Sequence, residues 1–241
     1  MTPRPRAWMR RRVTVVLLFG LAGLACIPGC DPRTLLYFLQ PWEPTIPAPG
    51  PSLKGKRVVI LTHVVPSAQS DYVSLDRELT REIARIFREK VKKIELVEQE
   101  KVWAWIEAHP SWTDPAEAAK AFEADIAIFL EVERFTVGSP NSPGMLEGIA
   151  KTNIQVIELD YPKNSKGKRM TDQPKESSTI YTDVRDSVFP VRGPIPADSG
   201  ISKASFRQKF LKLAAAEVSW HFIEHAPGDD IQDVKFSNNQ R

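Results

Sequence analysis

The run KRVVILTHVV, residues 56–65, constrains the fold more than any other stretch of this 241-residue chain. It begins with the charged residues Lys56 and Arg57 and is followed by the polar sequence PSAQSD. A short, nearly continuous apolar run of this kind is typical of a strand in the middle of a sheet, buried on both faces. We therefore expect this strand to lie at the centre of the fold.

The segments that follow alternate between helical and extended patterns. Apolar residues recur at helical spacing from Leu75 to Val91, which predicts an amphipathic helix. DPAE, at 114–117, has the residue types of a helix start, with Asp at the N-cap, Pro at N1 and Glu at N3. The other predicted elements of this half are a strand KIELV (93–97), a helix EQEKVWAWIEAH (98–109) and a strand DIAIFLEVERF (125–135).

The second half predicts two long strands and a final helix. MLEGIAKTNIQVIELDY (145–161) alternates apolar and polar residues, as an antiparallel strand with one exposed face does. SSTIYTDVRDSVFP (177–190) is a further strand, and 202–225 is a helix ended by APGDD. This order predicts a single domain of the α/β (α+β) class, a mixed, mostly antiparallel sheet with helices packed on it.

The first 29 residues have the pattern of a secretory signal. Residues 1–12 contain five arginines and no acidic residue, and residues 13–29 are apolar or small apart from one threonine. A basic segment, an apolar segment and small residues follow one another in this order in signal peptides. The apolar run has 17 residues, the lower limit for crossing a bilayer, so an uncleaved single-pass anchor is the alternative.

The end of this segment resembles a bacterial lipobox. Cys30 is preceded by Ile27 at −3 and Gly29 at −1, whereas the second choice, Cys26, has Gly23 at −3. The resemblance implies cleavage before Cys30 and acyl chains on its thiol, and two or three chains form a firm membrane anchor. It also implies the periplasmic side of a bacterial membrane, with inner and outer membrane left open.

Cleavage there changes the charge of the protein. The five arginines of residues 1–30 are lost, which leaves 28 Lys and Arg against 30 Asp and Glu, a net charge of −2 instead of +3. The basic balance of the precursor is therefore no indication of nucleic-acid binding, which requires a basic surface. A lipidated Cys30 would be the only cysteine remaining, so no disulfide framework is available.

Composition divides the chain into four segments. Residues 1–29 are the signal peptide, and 30–55 are the lipidated cysteine with a proline-rich tether, since PWEPTIPAPGP (41–51) favours an extended spacer. Residues 56–226 are the globular α/β domain, and 227–241 are a flexible C-terminal tail.

The order of elements in the domain resembles the curli-channel-like lipoproteins, a group that includes the penicillin-binding-protein activators. The likeness rests on IELVEQEKVWAWIEAH and AAKAFEADIAIFLEVERF, where a helix ends in Ala124 and Asp125 before an apolar strand; Glu123 replaces the glycine usual before that alanine. Members bind proteins, build secretion pores or assist transporters, and the family has no catalytic residues. The resemblance implies a non-enzymatic envelope protein that binds a protein partner as an activator or accessory subunit, without cofactor or metal.

One motif favours an enzyme instead. HFIEH, residues 221–225, matches a His-x-x-Glu-His zinc motif, in which His221 and His225 share a helix face and Glu224 is the general base. A metal-dependent envelope hydrolase is therefore the alternative function. Against it, the third ligand of such sites lies far downstream and only sixteen residues follow His225, which suits the C-terminal end of a helix dipole.

Two further groups of residues could form a site. His63 lies where the central strand meets its loop, near Ser67 and Asp71, but there is no G-x-S-x-G motif, and a histidine satisfied at a strand end is expected. In VWAWIEAHPSW, residues 102–112, we expect Val102, Trp105 and Ile106 to pack in the core. Trp103, on the other side of that helix, and Trp112 are the candidates for a partner-binding surface.

Overall fold

A computed structural model describes residues 45–69, 73–139, 142–162, 170 and 176–229 of the chain. The predicted signal peptide, Cys26, Cys30 and the tail beyond residue 229 lie outside these residues. Among the helices that the model describes, none is long and apolar enough to cross a membrane.

The elements follow the predicted order, with additional short segments. The described helices are α1 (Pro66–Gln69), α2 (Leu75–Lys90), α3 (Gln99–Ala108), α4 (Pro115–Ala121) and α5 (Lys203–Ser219), with a 3₁₀ turn at Pro227–Asp229. The described strands are β1 (Arg57–Val64), β2 (Glu95–Leu96), β3 (Ile126–Val137), β4 (Met145–Leu146), β5 (Gly148–Asp160), β6 (Glu176–Phe189) and β7 (Ile195–Pro196).

Five strands form one mixed sheet in the order β2-β1-β3-β5-β6. The pairs β1–β2 and β1–β3 are parallel, whereas the much longer β3–β5 and β5–β6 pairs are antiparallel. This confirms the predicted fold class, a mixed sheet with helices packed on it. The short strands β4 and β7 pair with each other as a separate two-stranded sheet, and β7 lies between the predicted strand 177–190 and the predicted helix 202–225, where no strand was predicted.

Strand β1 is buried on both faces, as its sequence predicts. Val58, Val59, Ile60 and Leu61 are each at most 1% exposed. Val58 and Ile60 belong to a core cluster that includes α2 and α5, and Val59 and Leu61 belong to a second cluster that includes α3 and α4. Burying each of these side chains stabilises the fold by about 1.5–3 kcal/mol. Because alternate residues of β1 pack in the two clusters, this strand connects the two layers of helices.

The step from α4 into β3 is fixed by backbone geometry. Glu123 has a φ of 52°, the left-handed conformation that glycine adopts most easily. This backbone conformation explains why a glycine would suit the position. Beyond it, Ala124 is fully buried. Asp125 then binds Arg57 twice, accepting its backbone N–H on Oδ2 and donating its own N–H to the Arg57 carbonyl, both at 2.7 Å. These contacts align β3 with the start of β1.

Residues 45–55, the end of the predicted tether, lie on the domain. Ile46 and His225 exchange two backbone hydrogen bonds, and the Gly50 N–H donates to the His221 carbonyl at 2.7 Å. A Cβ at Gly50 would lie 2.5 Å from that same oxygen, so only glycine fits this approach. Leu53 is 1% exposed in the main core cluster. These residues therefore contribute to the packing of the domain.

Helix α5 is shorter than the sequence predicts. It ends at Ser219 rather than continuing to His225. The Ser219 hydroxyl donates to the carbonyl of Ala215, four residues back, a contact that bends or weakens helices. Beyond it the chain turns so that His225 can pair with Ile46. The prediction that His221 and His225 share one face of a helix is therefore wrong.

Candidate functional site

The residues singled out on β1 and α3 meet in one cavity. It has a volume of about 200 Å³ and lies at the carboxyl end of β1, between the first turn of α2 and helix α3. In open α/β sheets, ligands bind outside the carboxyl ends of parallel strands. The residues that line it are Thr62, His63, Val64, Asp76, Arg77, Trp103, Ile106, Glu107 and Trp112.

Helix α3 separates core from surface in the way its sequence predicts. Val102 is 1% exposed, and Trp105 and Ile106 pack against the second core cluster. Trp103 is half-buried outside that cluster, with the guanidinium carbons of Arg77 and Arg81 at 5.2 and 5.0 Å from its ring centroid. Cation–π contacts of this kind hold the indole in place without burying it.

The ring of Trp112 packs against two other aromatic rings. Its ring meets Phe129 edge to face with centroids 5.7 Å apart and lies 6.2 Å from Trp105. Aromatic pairs at such distances add to the energy of area burial. Trp112 is therefore half-buried against the second cluster while it lines the cavity. Because its environment is fixed, it presents a preformed apolar surface.

The rim of the cavity is charged and solvated. Arg77 Nη2 on α2 binds Glu107 Oε1 on α3 at 2.9 Å, with 47% and 69% of the two side chains exposed. An exposed pair contributes little stability, so it can open or be replaced by groups of a ligand at small cost. Asp76 adds a further carboxylate. These rim residues were not predicted from the sequence; the pattern that could have indicated them is Arg77 and Arg81, four residues apart on one face of α2.

His63 is exposed at the end of β1 and lines the cavity. Next to it, Thr62 Oγ1 lies 2.7 Å from Thr80 Oγ1, which fixes the strand end against α2. Asp71, one of the partners considered for His63, lies outside the described residues. The structure places His63 in the lining of the same cavity as Trp103 and Trp112.

The HFIEH residues are arranged for other contacts. The Tyr181 hydroxyl donates to Asp183 Oδ2 at 2.9 Å, so the Nδ1–H of His221 donates to the Tyr181 oxygen at 2.8 Å. His225 stacks on Trp220, with ring centroids 4.5 Å apart, and Glu224 is exposed. Among the described residues, no group of three His, Cys, Asp or Glu is placed to hold a metal ion.

Burial and hydrogen bonding shift the pKa values of this Tyr–Asp–His group. Burial lowers the pKa of His221, although the nearby Asp183 carboxylate opposes the shift. Burial, and then the bond to Asp183, raise the pKa of Tyr181 to about 12. The pKa of Asp183 is lowered, first by the backbone N–H of Val184. At neutral pH the group therefore consists of a neutral histidine, a neutral tyrosine and a carboxylate.

Comparison with known proteins finds no matching family profile and no matching curated protein. Among solved structures, the hypothetical protein CT253 from Chlamydia trachomatis is 14% identical, with 70% of this chain and 97% of that chain covered and a TM-score of 0.40. A PelC dodecamer from Paraburkholderia phytofirmans is 10% identical over 73% and 94%, with a TM-score of 0.38. Lipoprotein GNA1162 from Neisseria meningitidis is 8% identical over 70% and 99%, also with a TM-score of 0.38. Structures similar to this chain thus include a bacterial lipoprotein, at low identity.

Trp103 and Trp105, the two tryptophans of α3, are expected to contribute differently to the free energy of unfolding. We expect Trp105→Ala to lower the free energy of unfolding by about 2–3 kcal/mol, because it removes packing against the second core cluster. Trp103→Ala is expected to cost less than about 1 kcal/mol, the value of an exposed cation–π contact. Urea unfolding of both variants checks this, and equal losses would contradict the assignment of Trp103 to the surface.

The buried His221 gives the stability a pH dependence. Its folded-state pKa lies below that of the unfolded chain, so on acidification the unfolded state takes up the proton first. We expect the free energy of unfolding to fall as the pH is lowered from about 7.5 to 5, through the ordinary histidine range. His221→Asn should flatten this decline, whereas His109→Asn, at an exposed histidine, should keep it. An unchanged decline in His221→Asn would refute this account.

Proposed function

We propose that this chain is a non-enzymatic, lipid-anchored protein of the bacterial envelope whose α/β domain binds a protein partner. The observation that carries the proposal is the cavity that brings Trp103 and Trp112 together inside a charged rim. Apolar aromatic residues at the centre and polar groups around them are the usual composition of a protein–protein interface. Tryptophan and arginine are also the residues most often found as energetic anchors there.

The size of the cavity favours a protein partner over a free small molecule. Pockets for drug-sized ligands have volumes of roughly 300–1,000 Å³. The volume of about 200 Å³ found here suits one large side chain projecting from a partner surface. The exposed Arg77–Glu107 pair beside it offers both a cation and an anion to polar groups on that surface.

A membrane anchor at Cys30 would keep such a site close to partners in the same membrane. Tethering replaces a bimolecular encounter by an intramolecular one, which raises the effective concentration of the domain around a partner in the same membrane. A modest interface is then sufficient for occupancy. This matches the role of activator or accessory subunit of an envelope complex that the family resemblance implies.

The cavity is tested by site-specific photo-crosslinking in cells that make the full chain. A photo-reactive residue in place of Glu107, whose side chain is 69% exposed on the rim, is expected to give one discrete protein adduct. The same residue in place of Val191, 65% exposed outside the cavity, should not give it. Adding Trp103→Ala to the Glu107 variant should reduce the adduct about tenfold, since it removes a candidate anchor without unfolding the domain.

Two results would contradict this proposal. One is the same set of adducts from positions 107 and 191, which would mean that the cavity has no preferred partner. The other is an adduct at 107 that is unchanged by Trp103→Ala while the variant remains folded by thermal unfolding.

A further inference from the structure

Strand β6 is the outermost strand of the sheet and is strongly exposed. It has 14 residues, of which only Ser187 and Phe189 are buried, and in the described sheet it pairs with β5 alone. Ile180, Val184 and Val188 are 40%, 49% and 44% exposed. A long exposed edge strand offers its backbone donors and acceptors to another strand, and soluble proteins usually cover such an edge.

One hydrogen bond shows which residues of β6 direct their backbone N–H and C=O groups away from β5. The Val184 N–H donates to the carboxylate Oδ1 of Asp183 at 2.8 Å, so it points away from β5. In antiparallel sheets, N–H and C=O groups of alternate residues point to the same side. The backbone groups of residues 182, 184 and 186 therefore face the open edge.

We propose that β6 pairs with β6 of a second copy of this chain, antiparallel and with the two-fold axis at Val184. Strand β6 is self-complementary in this register. Val184 lies opposite the partner's Val184, and Asp183 lies opposite the partner's Arg185, an attractive pair that the symmetry repeats. In the dimer the Val184 N–H donates to a backbone carbonyl of the partner instead of to Asp183. Asp183 Oδ1 is then available to accept a hydrogen bond from the guanidinium of the partner's Arg185.

Charge selects this register over its neighbours. A two-fold axis at residue 183, 185 or 186 would place Asp183, Arg185 or Asp186 directly opposite its own copy, and like charges in that position destabilise a sheet. Only the axis at Val184 places opposite charges together in this part of the strand. Arg185 already binds Glu217 through Nη2 at 3.0 Å, but a guanidinium has five N–H groups and can serve a second carboxylate.

This interface is independent of the proposed partner site. In the sheet order, β3 and β5 lie between β6 and the cavity at β1. Loss of self-pairing would therefore leave the proposed function standing, and loss of partner binding would leave the dimer standing.

Disulfide trapping in membranes that contain the full-length chain tests the register. Val184→Cys is expected to give a disulfide between two copies of the peptide that carries residue 184, because Cα atoms of a hydrogen-bonded antiparallel pair lie about 5.5 Å apart. Val188→Cys is the matched control, equally exposed, whose two copies would be about 27 Å apart in this register. We expect at least about tenfold more linked dimer from position 184 than from position 188.

Val73→Cys, at an 83% exposed position outside β6, measures random collision, and the parent chain measures any contribution of Cys26 and Cys30. In addition, Val184→Asp should convert the detergent-solubilised protein from dimer to monomer, whereas Val73→Asp should not. The proposal is overturned if Val184→Cys links no better than Val73→Cys, or if Val184→Asp leaves the dimer fraction unchanged.

Discussion

The burial of β1 on both faces is the constraint on which the rest of the structure depends. Val58 and Ile60 require one layer of helices and Val59 and Leu61 require another, because none of the four can face water without losing about 1.5–3 kcal/mol. Helices α2 and α5 supply the first layer, and α3 and α4 the second. The end of β1 is thereby held between α2 and α3, which is where the cavity forms.

The second layer is also the smaller one, and this explains where the sheet stays open. Helices α3 and α4 are short, and on β5 the second cluster includes Ile157 and Leu159 near the end of the strand. Towards β6 the exposed Val184 and Val188 remain in contact with solvent. The exposed face of β6 is thus a result of this uneven covering of the sheet.

Local patterns in the sequence predicted most of the fold and part of the site. The apolar run of β1, the DPAE start of α4 and the position of Trp103 opposite Val102 each depend on neighbours in the chain, and they were interpreted correctly. The end of α5 was not, because the residues that follow Ser219 pair with residues 45–55, more than 160 positions away in the chain. The Arg77–Glu107 rim likewise joins two helices that no single periodicity relates.

Whether the domain works at a membrane surface is decided by the chemistry of Cys30. The direct measurement is the intact mass of the protein extracted from membranes, beside a Cys30→Ser variant. We predict a chain that begins at Cys30 and carries additional acyl mass, both lost in the variant. A mass equal to that of the full chain from Met1 would contradict the lipid anchor, and the apolar run of residues 13–29 would then be an uncleaved membrane segment.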